Sequence, residues 1–466
     1  MKRYYTERLR AYTIYATNLK AIHRKDFTLF DHYTLKCLGC GKSHHESSDG
    51  FLLRCEEDHG PAFLRAEYSV KQLTIKDKNP GIFRYQDWLP VRRIYDCPNR
   101  PVVFRSEVLS DKLGLENLFI VFNGYWPEKG AHFETCSFKE LEAIAVTARI
   151  PESEKRTLVV SSAGNTGMAF LQICSELGIP VLVVVPAASL PSMWITREKH
   201  PDAILAVLEG KVDYFDAIEL ANAIADQEGF YSEGGATNVA RRDGMGTVLL
   251  EAAEAIGRIP DHYIQAIGSG TGGIAAWEMS NRLREDGRFG NHKMMLHFIQ
   301  NEPFTIIADA WRQASPSLLP LDDQEAREKI LEVYAKVLSN RRPPYAIKGG
   351  VYDALKDTGG FTYTVSNDQA KEADDLFTET EGCDLHPAAA VAVAGLCQAV
   401  KAGKIGKKET VLLNITGGGI KKIEREERKI SLEPDIIFTK EDLSADAING
   451  KLSSFRKVKS TKETLQ

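Results

Sequence analysis

Short apolar runs alternate with longer runs of helical spacing between residues 157 and 235, and this alternation constrains the fold more than any other feature. The predicted strands are residues 158–160, 181–185 and 204–208, and the predicted helices are residues 166–176 and 214–225. Alternating strands and helices predict a parallel sheet, in which ligand-binding loops lie at the carboxyl ends of the strands. We therefore expect an α/β protein with a ligand site in those loops.

The composition narrows the class of protein. With 466 residues, 43% of them hydrophobic and 26% charged, the sequence predicts a globular protein of two or three domains. A net charge of -5 offers no general attraction for nucleic acid or membrane. The longest apolar run, residues 179–188, is about half a membrane span, and the N-terminus has no apolar signal core. We expect a cytoplasmic protein whose eight cysteines are reduced thiols.

Residues 33–66 have the pattern of a small β module, with strands predicted at 33–36 and 50–54. Its turns carry two pairs of metal-binding residue types, Cys37 with Cys40 and Cys55 with His59. Four sulfur and nitrogen ligands from two turns are typical of a structural zinc ribbon. Two alternatives remain open: His44 or His45 replaces one of these ligands, or packing alone holds the module.

Residues 135–140, Thr-Cys-Ser-Phe-Lys-Glu, precede a run with helical apolar spacing, which places Lys139 at the start of a helix. A lysine inside a closed site can lose its proton and condense with an aldehyde cofactor, because burial disfavours the ammonium. The alternative is an ordinary surface lysine. The choice between them depends on three later segments.

Two of these segments are loops that join a predicted strand to a predicted helix. Residues 161–167, here called the asparagine loop, combine small residues with Asn165, and residues 268–273, the glycine loop, read Gly-Ser-Gly-Thr-Gly-Gly. Small residues allow backbone N–H groups to approach an anion at the start of the following helix. The glycine loop also fits a dinucleotide fingerprint, with Glu302 as the ribose ligand, but that spacing is long. A single terminal phosphate fits the compact loop better.

The third segment is an apolar strand at residues 410–415 that runs directly into Thr416 and three glycines. The hydroxyl of Thr416 can meet a ring nitrogen, while the glycines allow a close approach of the backbone. A plain exit from a strand is the alternative interpretation.

In this order, the lysine stretch, the two loops and the Thr-Gly-Gly-Gly strand end resemble the fold type II pyridoxal-phosphate enzymes, and within them the threonine synthase family. The resemblance extends over about residues 33–440. Threonine synthases usually have Asp-Arg after the lysine, where this chain has Glu140 and Leu141, and an acidic pair where it has Asn123–Pro127. These departures indicate the branch that makes L-cysteate from O-phospho-L-serine and sulfite, a transferase reaction on the route to coenzyme M.

The resemblance implies a set of site residues. Lys139 is the catalytic lysine that carries the cofactor. The cofactor contacts are Lys139, Asn165 at the 3′-oxygen, Gly268, Ser269, Gly270, Thr271 and Gly272 at the phosphate, and Thr416 at the ring nitrogen. The residues at the substrate carboxylate are Ser161, Ser162, Ala163, Gly164 and Thr166. The candidate cations for the substrate anions, chosen only by charge, are Arg105, Arg241, Arg242 and Lys348.

The resemblance also implies an architecture like that of the tryptophan synthase β chain, with two parallel-sheet αβα domains, an N-terminal ribbon and a homo-oligomeric state. The expected divisions are an N-terminal segment at 1–66, a large domain at 67–145 and 236–440, a small domain at 146–235 and a tail at 441–466, frayed from residue 455. Three alternatives stay open: a threonine synthase, an amino-acid dehydratase, and a cofactor-binding paralogue without catalysis. A dehydratase is disfavoured because no separate regulatory domain is predicted after residue 440.

Overall fold

The computed structural model describes residues 31–465, with side chains as far as residue 455. The first 30 residues of the predicted N-terminal segment and Gln466 lie outside this range. Two parallel sheets of different size dominate the fold, as the alternating pattern predicts, and an antiparallel module precedes them. Within the described range no helix combines the length and apolar character needed to cross a membrane.

The larger sheet has six strands, of which the first five are parallel. In spatial order they are Phe361–Val365, Met295–Asn301, His262–Ala266, Thr410–Ile415, Asn117–Phe122 and, antiparallel at the edge, Val102–Arg105. Every residue of the two central strands, His262–Ala266 and Thr410–Ile415, is buried, because helices cover both faces. Their carboxyl ends lead into the glycine loop and into Thr416.

The smaller sheet has five parallel strands. In spatial order they are Phe230–Ser232, Thr157–Ser161, Val181–Pro186, Ala203–Leu208 and Ile436–Phe438. The last of these differs from the predicted division, which assigns residues 236–440 to the large domain. Apolar residues of the strand and of the helix that follows it join a core with the helix Tyr214–Ala225, so burial draws this end of the chain to the smaller sheet. The helix Ala445–Leu465 occupies the segment for which a frayed end was predicted.

The N-terminal module pairs Tyr33–Cys37 with Ser43–His44 on one side and Leu64–Tyr68 on the other. The strand predicted at residues 50–54 is wrong, because that segment is irregular in the structure. Its backbone groups bond to side chains instead of a strand: Leu52 N donates to Glu46, Leu52 O accepts from Arg149, and Gly50 O accepts from Arg92. Apolar spacing alone did not reveal these charged partners.

The helices fill the space around the sheets. The α-helices not yet named are Val108–Leu113, Lys139–Arg149, Asn165–Leu177, Val239–Ile256, Thr271–Asp286, Ile306–Arg312, Asp323–Glu332, Val351–Thr358, Asn367–Glu381, Pro387–Lys401 and Ile420–Arg425. Short 3₁₀ helices cover Gly81–Trp88, Pro127–Lys129, Ala187–Ser192, Gly235–Thr237 and Lys440–Leu443. Two-stranded pairs join Tyr125–Trp126 with Ala131–His132 and Trp194–Ile195 with Ile430–Ser431.

Candidate active site

One pocket brings together all but one of the residues predicted for cofactor and substrate. The predicted residues that line it are Lys139, Ser162, Ala163, Gly164, Asn165, Thr166, Gly268, Ser269, Gly270, Thr271, Gly272 and Thr416. Ser161 is the exception, since it ends the strand before the asparagine loop and does not line the pocket. The pocket therefore lies at the carboxyl ends of strands from both sheets.

Lys139 is the first residue of its helix and projects into this pocket, where its Nζ lies 3.2 Å from Glu142 Oε2. Burial lowers the pKa of the Lys139 amine, and the negative charge of Glu142 opposes that effect in part. A lowered pKa favours the free amine, the form that reacts as a nucleophile or a base.

Glu142 is fully buried and has three polar partners. Besides Lys139, Arg241 Nη1 lies 3.4 Å from its Oε1, and Thr166 Oγ1 donates to the same oxygen at 2.7 Å. Burial opposes its ionisation, but the charges of Arg241 and Lys139 outweigh that effect and hold the pKa of Glu142 below its usual value. The pocket thus has an ionised carboxylate beside its lysine.

The asparagine loop turns sharply at Gly164, whose φ of 138° favours glycine. Ser162 Oγ accepts hydrogen bonds from the N–H groups of Gly164 and Gly167, at 2.9 and 2.7 Å. Asn165 and Thr166 are the first two residues of the following helix, where N–H groups have no partner inside the helix. Their amides are therefore available to an anion in the pocket.

The side chain of Asn165 lies 3.2 Å from His386 Nε2. Burial lowers the pKa of His386 to about 4, so its ring is neutral. Its Nδ1 accepts a hydrogen bond from Ala388 N at 3.2 Å, and its Nε2 faces Nδ2 of the Asn165 amide. His386 therefore holds the Asn165 side chain at the wall of the pocket.

The glycine loop is crowded enough to require small residues. Gly270 has a φ of 80°, and a Cβ there would meet Val351, while a Cβ at Gly272 would come within 2.7 Å of Gln265 Nε2. Ser269 and Thr271 hydroxyls lie 2.8 Å apart beside the N-terminus of a 16-residue helix. N–H groups, hydroxyls and a helix N-terminus form a donor set that fits a phosphate.

The backbone that follows the strand Thr410–Ile415 is packed just as closely against its neighbours. The Thr416 carbonyl accepts from Phe138 N at 3.0 Å, directly beside Lys139. A Cβ at Gly417 would lie 2.5 Å from Cys136 O, and one at Gly418 would lie 2.5 Å from Asp384 O. The glycines therefore allow the Lys139 segment and the Thr416 segment to lie side by side.

The candidate cations separate in the structure. Arg241 lines the pocket, but its Nε and Nη2 already bond to Glu233 at 2.9 and 2.5 Å. Arg242 is buried with Glu278, Arg105 is exposed and bonds to Glu116 O, and the side chain of Lys348 is 61% exposed beside Asp353. None of these three lines the pocket.

Sequence reasoning missed several residues of the pocket. Its other lining residues are Phe138, Tyr214, Gln265, Ala266, Ile267, Val337, Leu338, Asn340 and Ala388. Those at 337–340 come from an irregular segment with no motif, so no signal in the sequence could have found them. Glu142 was detectable as a charged residue one helical turn after the lysine.

The predicted metal ligands also come together. The ligand atoms of Cys37, Cys40, Cys55 and His59 lie within 4.8 Å of one another, with 3.8 Å between the sulfurs of Cys40 and Cys55. Such a separation fits two thiolates on one tetrahedral zinc ion, and four protein ligands make a closed, structural site. His44 Nε2 lies 3.2 Å from Cys55 Sγ, so it adjoins the cluster, whereas His45 is exposed.

Comparisons with known proteins agree with this geometry. The family described as "Pyridoxal-phosphate dependent enzyme" matches residues 103–417. The cysteate synthase of Methanosarcina acetivorans is 47% identical over 89% of this chain and 99% of that protein. The cysteate synthase of Methanocella paludicola is 50% identical over 86% of this chain and 93% of that protein.

Solved structures support the fold alone. Maize serine racemase is 14% identical with a TM-score of 0.52, covering 70% of this chain and 93% of its own. Processed threonine deaminase isoform 2 from Solanum lycopersicum is 15% identical with a TM-score of 0.51, covering 70% of this chain and 88% of its own. The family match and the cysteate synthase relatives, together with the two parallel sheets and the pocket between their strand ends, place the chain among the pyridoxal-phosphate-dependent enzymes, in the cysteate synthase family.

Proposed function

We propose that this enzyme replaces the phosphate of O-phospho-L-serine with sulfite, giving L-cysteate and inorganic phosphate on the route to coenzyme M. The observation that carries the proposal is the pocket itself, in which Lys139, the asparagine loop, the glycine loop and Thr416 surround one space. The names of the cysteate synthase relatives support the choice of this reaction among those that the fold allows.

Bound pyridoxal phosphate supplies an electron sink that makes the Cα proton of an amino acid acidic. The residues that would hold it are Lys139, Asn165, Thr416 and the glycine loop, with the loop at its phosphate. Thr416 would offer a neutral hydroxyl to the ring nitrogen, whereas a carboxylate would hold that nitrogen protonated. A neutral partner weakens the sink, which favours loss of a good leaving group from Cβ over transamination.

Lys139 is the base and the acid of the proposed reaction. Its Nζ takes the Cα proton, and the lowered pKa of the amine favours the free base that this step requires. Lys139 holds this proton while the Cβ–O bond breaks and phosphate departs with the bonding electrons. After the sulfur of sulfite has formed a bond to Cβ, Lys139 returns the proton to Cα.

The substrate carboxylate is proposed to bind at the asparagine loop. Because Ser162 Oγ already occupies the N–H groups of Gly164 and Gly167, we assign the carboxylate to the amides of Asn165 and Thr166. The helix that starts there adds its positive end to the interaction. Ser162 then acts by holding the turn in shape and does not contact the substrate.

We also propose a division into domains that follows the sheets. The large domain would contain residues 67–145 and 236–429, and the small domain would combine residues 146–235 with residues 430–465. Two strand pairings support the second assignment: Ile430–Ser431 pairs with Trp194–Ile195, and Ile436–Phe438 pairs with Ala203–Leu208 of the smaller sheet. Limited proteolysis would test it, since fragments cut near residue 429 should stay attached to the small domain.

The reaction is tested by incubating the purified protein with O-phospho-L-serine, with and without sulfite, and identifying the products. We expect L-cysteate and phosphate in equal amounts when sulfite is present. On the same preparation, kcat/KM for O-phospho-L-serine with sulfite is compared with kcat/KM for O-phosphohomoserine with water. Efficient threonine formation, or pyruvate as the sole organic product with sulfite present, would contradict the proposal.

A further inference from the structure

The first turn of the Lys139 helix contains two fully buried glutamates with opposite environments. Glu140 accepts hydrogen bonds from Thr135 N and Thr135 Oγ1, at 2.5 and 2.7 Å, and from Asn99 Nδ2, and its carboxylate forms no ion pair with Lys139. Glu142 contacts the amine of Lys139 and the guanidinium of Arg241. The mechanism above uses neither residue, and their difference suggests a task for Glu142.

Elements from separate parts of the chain fix the carboxylate of Glu142. Thr166, at the start of the helix Asn165–Leu177, donates to its Oε1, and Arg241, in the helix Val239–Ile256, lies beside the same oxygen. Arg241 is itself held by two hydrogen bonds to Glu233. Oε2 is thereby aimed at Lys139 Nζ, at a distance of 3.2 Å.

We propose that Glu142 is a positioning residue for Lys139, holding the Nζ ammonium near Cα after it has taken the proton and until it returns it. This inference rests on the proposed function, in which Lys139 exchanges a proton with Cα. An ammonium on a flexible side chain has many positions open to it, and a fixed carboxylate limits them. The proton moves from Cα to Nζ and back to Cα, and Glu142 keeps its charge throughout.

The charges around Nζ explain why Glu142 is needed. Three charged groups act on the Lys139 amine: Glu142 on the same helix, Arg241 on the helix Val239–Ile256, and Glu233, which precedes that helix in the chain. Tyr214 lines the same pocket. With Lys139 protonated, two cations face two carboxylates and the cluster is neutral. Without the charge of Glu142, two cations share one carboxylate, so the ammonium becomes harder to form.

The test measures the Lys139 amine directly in the full chain after removal of the cofactor. Labelling with acetic anhydride across a pH series, read by mass spectrometry of the Lys139 peptide, reports the pKa of Nζ. We expect Glu142→Gln to lower that pKa by about one to three units, the size of effect that one close charge produces. In the loaded enzyme kcat should fall by about 10²-fold, with little change in KM for O-phospho-L-serine.

Glu140→Gln is the matched control, since it changes a buried glutamate two residues away whose carboxylate forms no ion pair with Lys139, and it should leave both readouts at the wild-type values. An unchanged Lys139 pKa in Glu142→Gln would overturn the proposal. Should Glu142→Gln not fold, Glu142→Asp retains the charge at a greater distance, and we expect it to give an intermediate pKa and kcat. Wild-type values of both in Glu142→Asp would equally overturn it. Because labelling needs no substrate, its result is independent of whether the enzyme makes L-cysteate.

Discussion

The candidate metal-ligand cluster and the candidate cofactor pocket are two regions of the described chain that are assembled in different ways. The ligands of the cluster all lie between residues 37 and 59, on one small module. The pocket takes its walls from segments between residues 138 and 416, which two separate sheets bring together. A local cluster requires only short turns, whereas the pocket requires the correct strand order in both sheets.

The two regions also differ in their polarity. Around Lys139 the charged groups are buried and paired, so each charge depends on the position of its partner. In the cluster Cys40 is exposed and His59 partly exposed, and a metal ion would supply the charge that holds the thiolates together. The pocket is therefore sensitive to single side chains, and the cluster to loss of a metal.

The regions are nevertheless connected through residues 348–351. Phe63 N donates to Lys348 O at 3.0 Å, and Leu38 packs at Gly349, two residues before Val351 at the glycine loop. Unfolding of the cluster would therefore displace residues 348–351, which pack against the glycine loop.

The largest expected effect on turnover comes from Lys139→Ala. Without its amine the enzyme loses the proposed base, and turnover should fall by at least about 10²- to 10⁴-fold. The zinc content, measured by atomic absorption on protein purified without chelator, should be the same as in wild type. A variant that retains most of its turnover would show that Lys139 is not the catalytic lysine.

The second-largest effect is expected from Gly270→Ala in the glycine loop, and it concerns the affinity for the cofactor. The new Cβ would meet Val351, and the φ of 80° disfavours alanine, so the affinity for pyridoxal phosphate should fall by about 10-fold or more. Equilibrium titration followed by cofactor absorbance measures this.

Gly257→Ala is the control for backbone strain, because Gly257 has a φ of 81° but open space around it. It should cost stability without changing cofactor affinity. Equal losses of affinity in both variants would mean that the contact at the glycine loop has no special role.

Cys40→Ser tests the metal-ligand cluster. We expect zinc to be lost and the melting temperature to fall by several degrees, because a structural zinc site contributes folding energy. Turnover at low temperature should fall by less than about 10-fold, since a closed metal site takes no part in the reaction.

Cys397→Ser, at a partly exposed cysteine outside the cluster, should change none of these quantities. Substoichiometric zinc in the wild-type protein would instead support a module held by packing alone.

Glu140→Gln should leave turnover at the wild-type value and change only the dependence of stability on pH, so it tests where the pocket ends. Burial raises the pKa of Glu140 to about 8 from an ordinary value of 4.5. An acid whose pKa is higher in the folded protein than in the unfolded chain stabilises the fold when it is protonated. This stabilisation is fully present below the pKa of the unfolded chain and is lost as the pH rises towards 8, the pKa in the folded protein. The wild type should therefore lose stability relative to Glu140→Gln by up to about 1.4 kcal/mol per pH unit between those values. Urea unfolding at several pH values measures this, and parallel curves would contradict it.

Much of this enzyme was predictable from local patterns. Apolar runs between turns predict the buried strands of both sheets, because burial on two faces requires continuous apolar residues. The two loops and Thr416 predict the pocket, because the carboxyl ends of parallel strands meet at one edge of a sheet. The spacing of Cys37, Cys40, Cys55 and His59 predicts a cluster that the structure brings together.

Tertiary structure alone decided the remaining features. Strand Ile436–Phe438 joins the smaller sheet, and residues 50–54 form no strand, because their partners lie far away in the chain. The pairing of Lys139 with Glu142, and of Asn165 with His386, likewise depends on packing between distant segments. Local spacing determines which chemical groups are available, but the ionisation and orientation of each group depend on neighbours that only the folded chain supplies.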